Sequence, residues 1–195
     1  MLHLPEKEIR LNIGHPRNKQ AFVQTPLHKT HIEHLMCYFE DPELTEIMGF
    51  NFDPASKDTH KFIEAITICC HPNCQTENHL IFGEFQAPNT MPIGYQVVKG
   101  INQELGVAEY GNATLDPVHR SHGYGRTAMR TILRYLFDEL GMKKMHGTVL
   151  ESNRSQLNMI KKVGWQLAET TSWEMPDGTL EPMHVFQMTA KDLIL

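Results

Sequence analysis

The sequence lacks the features of membrane, secreted and general nucleic-acid-binding proteins. None of its apolar stretches approaches the ~20 residues that a membrane-spanning helix needs. The first eight residues, Met1-Leu-His-Leu-Pro-Glu-Lys-Glu8, lack the apolar core of a signal peptide. There are 18 Lys and Arg against 23 Asp and Glu, and the formal net charge of −5 gives no basic surface for nucleic acid. We therefore expect a cytoplasmic protein that has neither a membrane nor a nucleic acid as its direct partner.

Cysteine is scarce, and its few positions do not favour a metal site. Three of the four cysteines are clustered at Cys69, Cys70 and Cys74, with His60, His71 and His79 nearby. A structural zinc site usually shows two spaced ligand pairs, and the second cysteine pair is missing here. The cluster favours free thiols at a helix end over a zinc-linked interaction protein, and we assign no metal ligands.

The chain contains no internal repeat, low-complexity tract or long polar linker, so we expect a single domain over residues 1–195. In the first half, the predicted elements are strands at Ile9–Leu11 and Ala21–Gln24, a helix at His28–Glu40, a short helix at Glu43–Met48, a helix after Ser56, and strands at His79–Gln86, Ile93–Ile101 and Leu105–Leu115. In the second half, they are a helix that ends before Gly141, a strand at Lys144–Leu150, a helix between Asn153 and Gly164, and strands at Gln166–Glu174 and Met183–Thr189. This order predicts an α/β fold, with a mixed sheet covered by helices on both faces.

The segment Arg120-Ser-His-Gly123-Tyr-Gly125, called the glycine loop below, follows a predicted strand and opens the most amphipathic helix of the chain. Backbone N–H groups at a helix start are unsatisfied, and the helix dipole makes that end electropositive. Glycines allow an anion to approach the main chain closely. Arg120, Arg126 and His122 add side-chain donors. The loop therefore predicts a site for a phosphate or pyrophosphate.

Other interpretations of the loop fit less well. A P-loop requires Gly-Lys-Ser/Thr, whereas this chain has Gly125-Arg126-Thr127 without the earlier glycine spacing. A dinucleotide fingerprint would have to start at Gly123, after an antiparallel meander instead of the first parallel crossover. A tight turn that binds no ligand is the remaining alternative.

Several ordered motifs resemble the GNAT superfamily of N-acetyltransferases. The segment from Leu115 to Gly125 is similar to the Arg/Gln-x-x-Gly-x-Gly/Ala motif of that family. Tyr135-Leu-Phe-Asp-Glu-Leu-Gly-Met-Lys-Lys, Glu151-Ser-Asn153 and Val163-Gly164-Trp165 resemble the branch that acetylates the N-termini of ribosomal proteins. The resemblance covers about half of the chain, from Ile93 to Thr189.

The resemblance implies a mostly antiparallel sheet with a central V-shaped splay that receives acetyl-CoA as cosubstrate. The glycine loop would bind the coenzyme pyrophosphate, main-chain groups near Leu115 and Val118 would pair with the pantetheine arm, and Asn153 would contact the coenzyme. The full set of expected coenzyme-binding residues is Leu115, Val118, Arg120, His122, Gly123, Tyr124, Gly125, Arg126, Thr127 and Asn153.

Acetylation by a thioester needs a group that removes the amine proton and a group that assists the leaving thiolate. We favour Glu109 as the base, with Glu151 and Glu169 as rivals; a solvated residue on the sheet is the alternative for Glu109. Relatives of this branch commonly have Asn-x-x-Ser after the second crossover strand. Here Gln156 occupies the expected serine position and Ser155 lies one residue earlier, which rotates its side chain by about 100° on a helix. Ser155 is the candidate acid, and a capping role for this segment is the alternative.

The predicted function is acetyl-CoA-dependent transfer of an acetyl group to a primary amine by direct attack in a ternary complex. The acceptor would be a protein N-terminus or a small molecule, and the net negative charge favours a cationic one. The alternative is a non-catalytic acyl-CoA-binding regulatory module on the same fold. A homodimer through the C-terminal strands is the oligomer that we consider.

Overall fold

The computed structural model describes residues 8–14, 20–41, 44, 79–175 and 177–194. Its strands are β1 (Ile9–Asn12), β2 (Ala21–Thr25), β3 (Leu80–Gln86), β4 (Gly94–Asn102), β5 (Val107–Thr114), β6 (Lys144–Leu150), β7 (Gln166–Glu174) and β8 (Leu180–Met188). Its helices are α1 (Lys29–Cys37), which continues into a 3₁₀ turn at Tyr38–Glu40, α2 (Tyr124–Arg134), which continues into a π turn at Tyr135–Glu139, and α3 (Arg154–Val163). Most of the predicted helix at Glu43–Met48, the helix after Ser56, and Cys69–Cys74 lie outside the described residues.

The strands form one sheet in the order β1-β2-β3-β4-β5-β6-β8-β7. Every neighbouring pair in this order is antiparallel except β5 and β6, which are parallel. The parallel pair is connected through α2, because parallel neighbours need a crossover connection. The predicted mixed, mostly antiparallel sheet is therefore confirmed.

The two faces of the sheet carry separate apolar cores, because successive residues of a strand point to opposite faces. On one face, α2 and α3 pack against a core that includes Phe82, Val98 and Met145. On the other face, α1 packs against a core that includes Phe85 and Tyr95. Helices therefore cover both faces, as predicted.

The apolar stripe of α2 faces the sheet and anchors the helix that follows the glycine loop. Ala128, Met129, Ile132, Leu133 and Leu136 are each no more than 1% exposed. Burial of one large apolar side chain contributes about 1.5–3 kcal/mol, so this face fixes α2 firmly on the sheet. This packing also fixes the position of the start of α2 relative to the sheet.

Two strands start more than one residue away from their predicted starts. Strand β5 begins at Val107 instead of Leu105, because a turn with Gly106 at a φ of 69° precedes it. Strand β8 begins at Leu180, three residues before the predicted start, and includes Pro182 opposite Ser172 of β7. Among the described residues, no helix is long and apolar enough to cross a membrane.

Candidate functional site

Strands β5 and β6 are paired over only part of their lengths. They are joined by three parallel residue pairs: Val107–Lys144, Ala108–Met145 and Glu109–His146. Within the described range 79–175, no further pair joins them, although β5 continues to Thr114 and β6 to Leu150. The strands therefore diverge beyond Glu109 and His146 and open a V-shaped slot, which confirms the predicted splay.

The glycine loop lies at the wide end of this slot, between the end of β5 and the start of α2. Gly123 is the N-cap residue of α2 and has a φ of 92°, a left-handed conformation that glycine adopts without steric cost. The first hydrogen bond of the helix runs from the N–H of Thr127 to the carbonyl of Gly123, at 3.1 Å. The preceding N–H groups cannot bond within the helix, and the dipole makes this end electropositive. The geometry suits an anionic ligand.

Two arginines on α2 carry buried donors that have no hydrogen-bond partner among the residues the structure describes. The Nε atoms of Arg126 and Arg130 are buried without a hydrogen-bond partner among the described residues. The Nη2 atom of Arg130 donates to the carbonyl of Lys162 at 3.1 Å. Burial and the nearby charge of Arg126 lower the pKa of Arg130. Because buried donors are normally satisfied, this pair fits a ligand with several anionic oxygens, such as a pyrophosphate.

Arg120 is directed into the protein. Its Nη2 donates to the carbonyl of Leu115 at 2.8 Å and to the Oδ2 of Asp41 at 3.2 Å, and its Nε also donates to Leu115 at 3.2 Å. The N–H of Leu115 donates to the carbonyl of Ile93 at 2.9 Å. Both main-chain groups of Leu115 are thus engaged. Pairing of a pantetheine arm with the Leu115 carbonyl requires that Arg120 release it.

The segment after Leu115 is held by Asp116. Its Oδ1 accepts from the N–H of Val118 at 2.9 Å, and its Oδ2 lies 2.8 Å from Nδ1 of His119. The ring of His119 contacts the buried ring of Tyr124 edge to face, with centroids 5.5 Å apart. The side chain of Val118 is 74% exposed. Val118 therefore presents an apolar side chain to solvent, on a turn that the hydrogen bonds of Asp116 hold in place.

The remaining loop side chains stabilise its main chain. Nδ1 of His122 lies 2.8 Å from the carbonyl oxygen of Arg120. The hydroxyl of Thr127 donates to the carbonyls of Gly123 at 3.1 Å and Tyr124 at 3.0 Å. These two side chains shape the loop in this structure.

Glu109 lies at the narrow end of the slot. Its Oε1 is 2.9 Å from Nζ of Lys99 on β4, and its side chain is 39% exposed. Tyr110 points to the opposite face and is buried. Pairing of β5 with β4 is regular from Glu109 to Thr114, and the register shift between the two strands lies between Lys99 and Asn102.

The rival carboxylates have different positions. Glu151 follows β6 directly, and its Oε1 is 4.0 Å from Nη2 of Arg154. Glu169 lies on β7, which β8 separates from β6. Glu109 is the carboxylate that β5 places at the point of divergence.

No pattern in the sequence points to His146. It pairs with Glu109 across the parallel ladder, so the two side chains lie on the same face at the narrow end of the slot. Burial lowers the pKa of His146, the charge of Lys144 lowers it further, and Glu109 opposes the shift. The imidazole is therefore neutral at pH 7 and can accept a proton. Twelve histidines without a pattern gave no signal for this one.

On the other side of the slot, α3 begins as predicted with Asn153 as its cap. Its Oδ1 accepts from the N–H of Gln156 at 3.0 Å. The side-chain Nε2 of Gln156 donates to Oδ1 of Asn112 on β5 at 2.9 Å. This bond joins the two sides of the slot, whereas Ser155 is exposed. Gln156, and not Ser155, is the side chain directed toward β5.

Comparison with known proteins identifies the family of this chain. Residues 23–166 match the model of the acetyltransferase (GNAT) domain. No curated protein sequence matches the chain.

Similar solved structures share its fold. The spermidine N-acetyltransferase from Vibrio cholerae in complex with CoA and spermine is 18% identical, with a TM-score of 0.72 over 90% of this chain and 98% of that one. The microcin C7 self-immunity acetyltransferase MccE, in complex with acetyl-CoA and AMP, is 15% identical, with a TM-score of 0.70 over 88% and 93%. A candidate ribosomal-protein-serine acetyltransferase from Vibrio cholerae is 15% identical, with a TM-score of 0.66 over 88% and 95%. At these identities the likeness is one of fold.

The domain match spans the glycine loop, the slot and both strands that form it. The resemblance noted in the motifs is therefore confirmed, and the chain belongs to the GNAT family of acetyltransferases.

Proposed function

We propose that this chain, as a single domain over residues 1–195, transfers the acetyl group of acetyl-CoA to a primary amine. The observation that carries the proposal is the position of the glycine loop. Its electropositive helix start and the Nε of Arg126, which is buried without a partner in the described part of the chain, lie at the wide end of the slot. Glu109 and His146 lie at the narrow end. An anionic coenzyme bound at the loop would direct its thioester toward these two proton acceptors.

In this proposal, the coenzyme pyrophosphate binds the N–H groups at the start of α2 and the side chain of Arg126. The pantetheine arm runs along the edge of β5 that has lost its pairing with β6, in the manner of an added strand. Val118 and Asn153 flank its path. Arg120 either keeps its bonds to Leu115 and Asp41 or exchanges them for the coenzyme. The solved structures with CoA and acetyl-CoA support this class of ligand.

The chemistry requires that the amine nitrogen attack the thioester carbonyl carbon as the amine loses a proton. A C–N bond forms, the C–S bond breaks, and the thiolate leaves. Glu109 accepts the amine proton, directly or through water, and neutral His146 is a second acceptor beside it. The amide of Gln156 donates a hydrogen bond to the sulfur or carbonyl oxygen as negative charge develops there.

The acceptor that we propose is a primary amine on a peptide N-terminus or a small molecule. The formal net charge of −5 favours a cationic acceptor. Two of the similar structures are described as acetyltransferases of spermidine and of a ribosomal-protein serine, and both acceptor classes are primary amines. For a homodimer through the C-terminal strands, the edge is β7, which is one of the two outer strands of the sheet and whose nine residues are all exposed.

Calorimetric titration with acetyl-CoA, followed by a thiol-release assay across peptide N-termini, polyamines and amino acids, tests the function. We expect binding and release of CoA thiol with at least one amine. Absence of binding at hundreds of micromolar acetyl-CoA would rule out the proposal. Binding without thiol release across the panel would support the non-catalytic regulatory module instead.

Replacement of Glu109 by glutamine is expected to lower kcat by about 100-fold, because the amide cannot accept the amine proton. The affinity for acetyl-CoA should not change, since Glu109 and the glycine loop are at opposite ends of the slot. Steady-state kinetics and calorimetry measure the two quantities. The matched control is Glu169→Gln, which changes a carboxylate two strands from the slot. Equal activity of the two variants would remove Glu109 as the base.

Replacement of Gln156 by alanine is expected to lower kcat about tenfold, because it removes the donor that reaches across the slot. Ser155→Ala should retain the kcat of the wild type, since Ser155 is exposed. We expect α3 to form in both variants, because alanine has a high helix propensity. The opposite ranking, with loss of activity in Ser155→Ala alone, would restore the serine as the acid.

A further inference from the structure

A carboxyl group that the proposed chemistry does not use is fully buried beneath the start of α2. Glu84 on β3 is 0% exposed. Its Oε1 accepts from Nε2 of Gln96, and its Oε2 accepts from the hydroxyl of Thr114 at 3.0 Å. Gln96 in turn accepts from the hydroxyl of Tyr110. We call these four residues the Glu84 network.

The backbone register explains how Glu84 reaches across the sheet. Glu84 on β3 pairs with Gly94 on β4, and Gly94 pairs with Thr114 on β5, so the three residues form one row. Gly94 has no side chain, and a Cβ there would lie 2.8 Å from Oε2 of Glu84. The glycine leaves the space in which the carboxyl extends over β4 to β5.

The network anchors the part of β5 that forms one wall of the slot. Beyond Glu109, β5 keeps its pairing with β4 but not with β6. On the α2 face of this segment, Tyr110 bonds to Gln96 and Thr114 bonds to Glu84. These side-chain bonds hold both ends of a strand segment that is paired on one edge only.

The Glu84 network also supports the glycine loop. A Cβ on Gly125 would lie 3.1 Å from Oγ1 of Thr114 and 3.3 Å from Nδ2 of Asn112. The first turn of α2 thus rests directly on side chains of β5, and one of them is bonded to Glu84. A displacement of Thr114 would be transmitted to the N–H groups at the helix start.

We propose that Glu84 is a positioning residue for coenzyme binding, which acts through Thr114 to set the distance between the slot wall and the start of α2. This inference rests on the proposed function, since it concerns the same acetyl-CoA site.

The charge of Glu84 gives the proposal a specific signature. Burial raises the pKa of this carboxyl to about 8, and the hydrogen bonds from Thr114 and Gln96 oppose the shift. Three strands pack against Glu84. Tyr110 is the titratable group that faces it from β5. The neighbours from β4 and β2 are uncharged: Gln96 bonds to Glu84, and Val23 is its register partner. On α2, Arg126 carries the charge nearest the loop in sequence. At pH 7 the carboxyl is neutral, and above pH 8 it becomes an anion beneath a site for another anion.

The experiment is calorimetric titration of acetyl-CoA into the wild type, Glu84→Gln and Glu109→Gln at pH 7 and pH 9. Acetyl-CoA binding by the wild type at pH 7 is measured first, because its absence would be a failure of the proposed function and not of this inference. We expect the affinity of the wild type for acetyl-CoA to fall about tenfold from pH 7 to pH 9, because a negative charge on Glu84 near the helix start opposes the binding of an anion there. Glu84→Gln should lose this pH dependence, and Glu109→Gln should keep it. The same pH dependence in Glu84→Gln as in the wild type would overturn the inference.

Thr114→Val provides the second measurement, which also applies if Glu84→Gln does not fold. It keeps the β-branched shape but removes the hydroxyl that bonds to Glu84. We expect KM for acetyl-CoA to rise several-fold at pH 7, with kcat at saturation unchanged. Unchanged KM in this variant would likewise overturn the proposed transmission through Thr114.

Discussion

Replacement of Gly94 by alanine is expected to lower the free energy of unfolding by about 3 kcal/mol or more. A Cβ at this position would lie 2.4 Å from the carbonyl oxygen of Ala113 and 2.8 Å from Oε2 of Glu84. The nearer contact is with the main chain of β5, which cannot rotate away as a side chain can. Strands β4 and β5 would have to separate, and the hydrogen bonds of Glu84 would be disturbed. Urea denaturation, with the midpoint compared at unchanged m-value, measures the loss.

Gly111→Ala is the matched control for this substitution. Gly111 lies on β5, and the nearest atom to a Cβ there is a methyl group of Val97 at 3.2 Å. A side-chain methyl can shift by a few tenths of an ångström, so we expect a loss of about 1 kcal/mol or less. If Gly94→Ala and Gly111→Ala lost equal free energy of unfolding, the close approach of the Ala113 carbonyl would not be the cause of the destabilisation. Gly94→Ala should also weaken acetyl-CoA binding, since the variant disturbs the Glu84 network.

Much of the fold is predictable from the sequence because its main signals are local. The apolar stripe of α2 repeats every three to four residues, and the glycine loop marks the start of that helix within a few residues. The exception at β8 is instructive. Pro182 usually argues against a paired strand, yet it lies inside β8, opposite Ser172. The pairing of β8 with β6 on one side and β7 on the other outweighs the local preference of proline against a paired strand.

The candidate site is predictable only where its residues are neighbours in sequence. The loop and Asn153 belong to short motifs, but the bond from Gln156 to Asn112 spans 44 residues and that from Arg120 to Asp41 spans 79. No local pattern encodes such pairs, because they depend on which strands separate in the folded sheet. Glu84 left a weak signal, as a charged residue between Phe82 and Phe85 in an apolar strand. A buried charge of this kind costs stability unless it is neutralised or paired, so its presence indicated a specific role.

The stability of the wild type should fall as the pH rises from 5 to 8, and Glu84→Gln should abolish the part of this fall that Glu84 causes. In the folded chain, burial raises the pKa of Glu84 from the ordinary value of 4.5 to about 8. Between these values the folded state retains a proton that the unfolded state has lost. The folded state therefore binds more protons, and the free energy of unfolding decreases with pH by up to about 1.4 kcal/mol per pH unit. Over this range the single group accounts for up to about 4 kcal/mol.

Urea denaturation of the wild type, Glu84→Gln and Glu109→Gln at pH 5, 6, 7 and 8 separates this contribution from those of other groups. At pH 5 both the protonated carboxyl and the amide are neutral, so the first two proteins should have similar stability there. As the pH rises, Glu84→Gln should become progressively more stable than the wild type, because its amide cannot ionise. Glu109→Gln is the control for the replacement of a carboxylate by an amide, because Glu109 is partly exposed and forms an ion pair with Lys99. A difference between Glu84→Gln and the wild type that does not change with pH would mean that the buried carboxyl is already charged at pH 5, and the neutral state on which its positioning role depends would not exist.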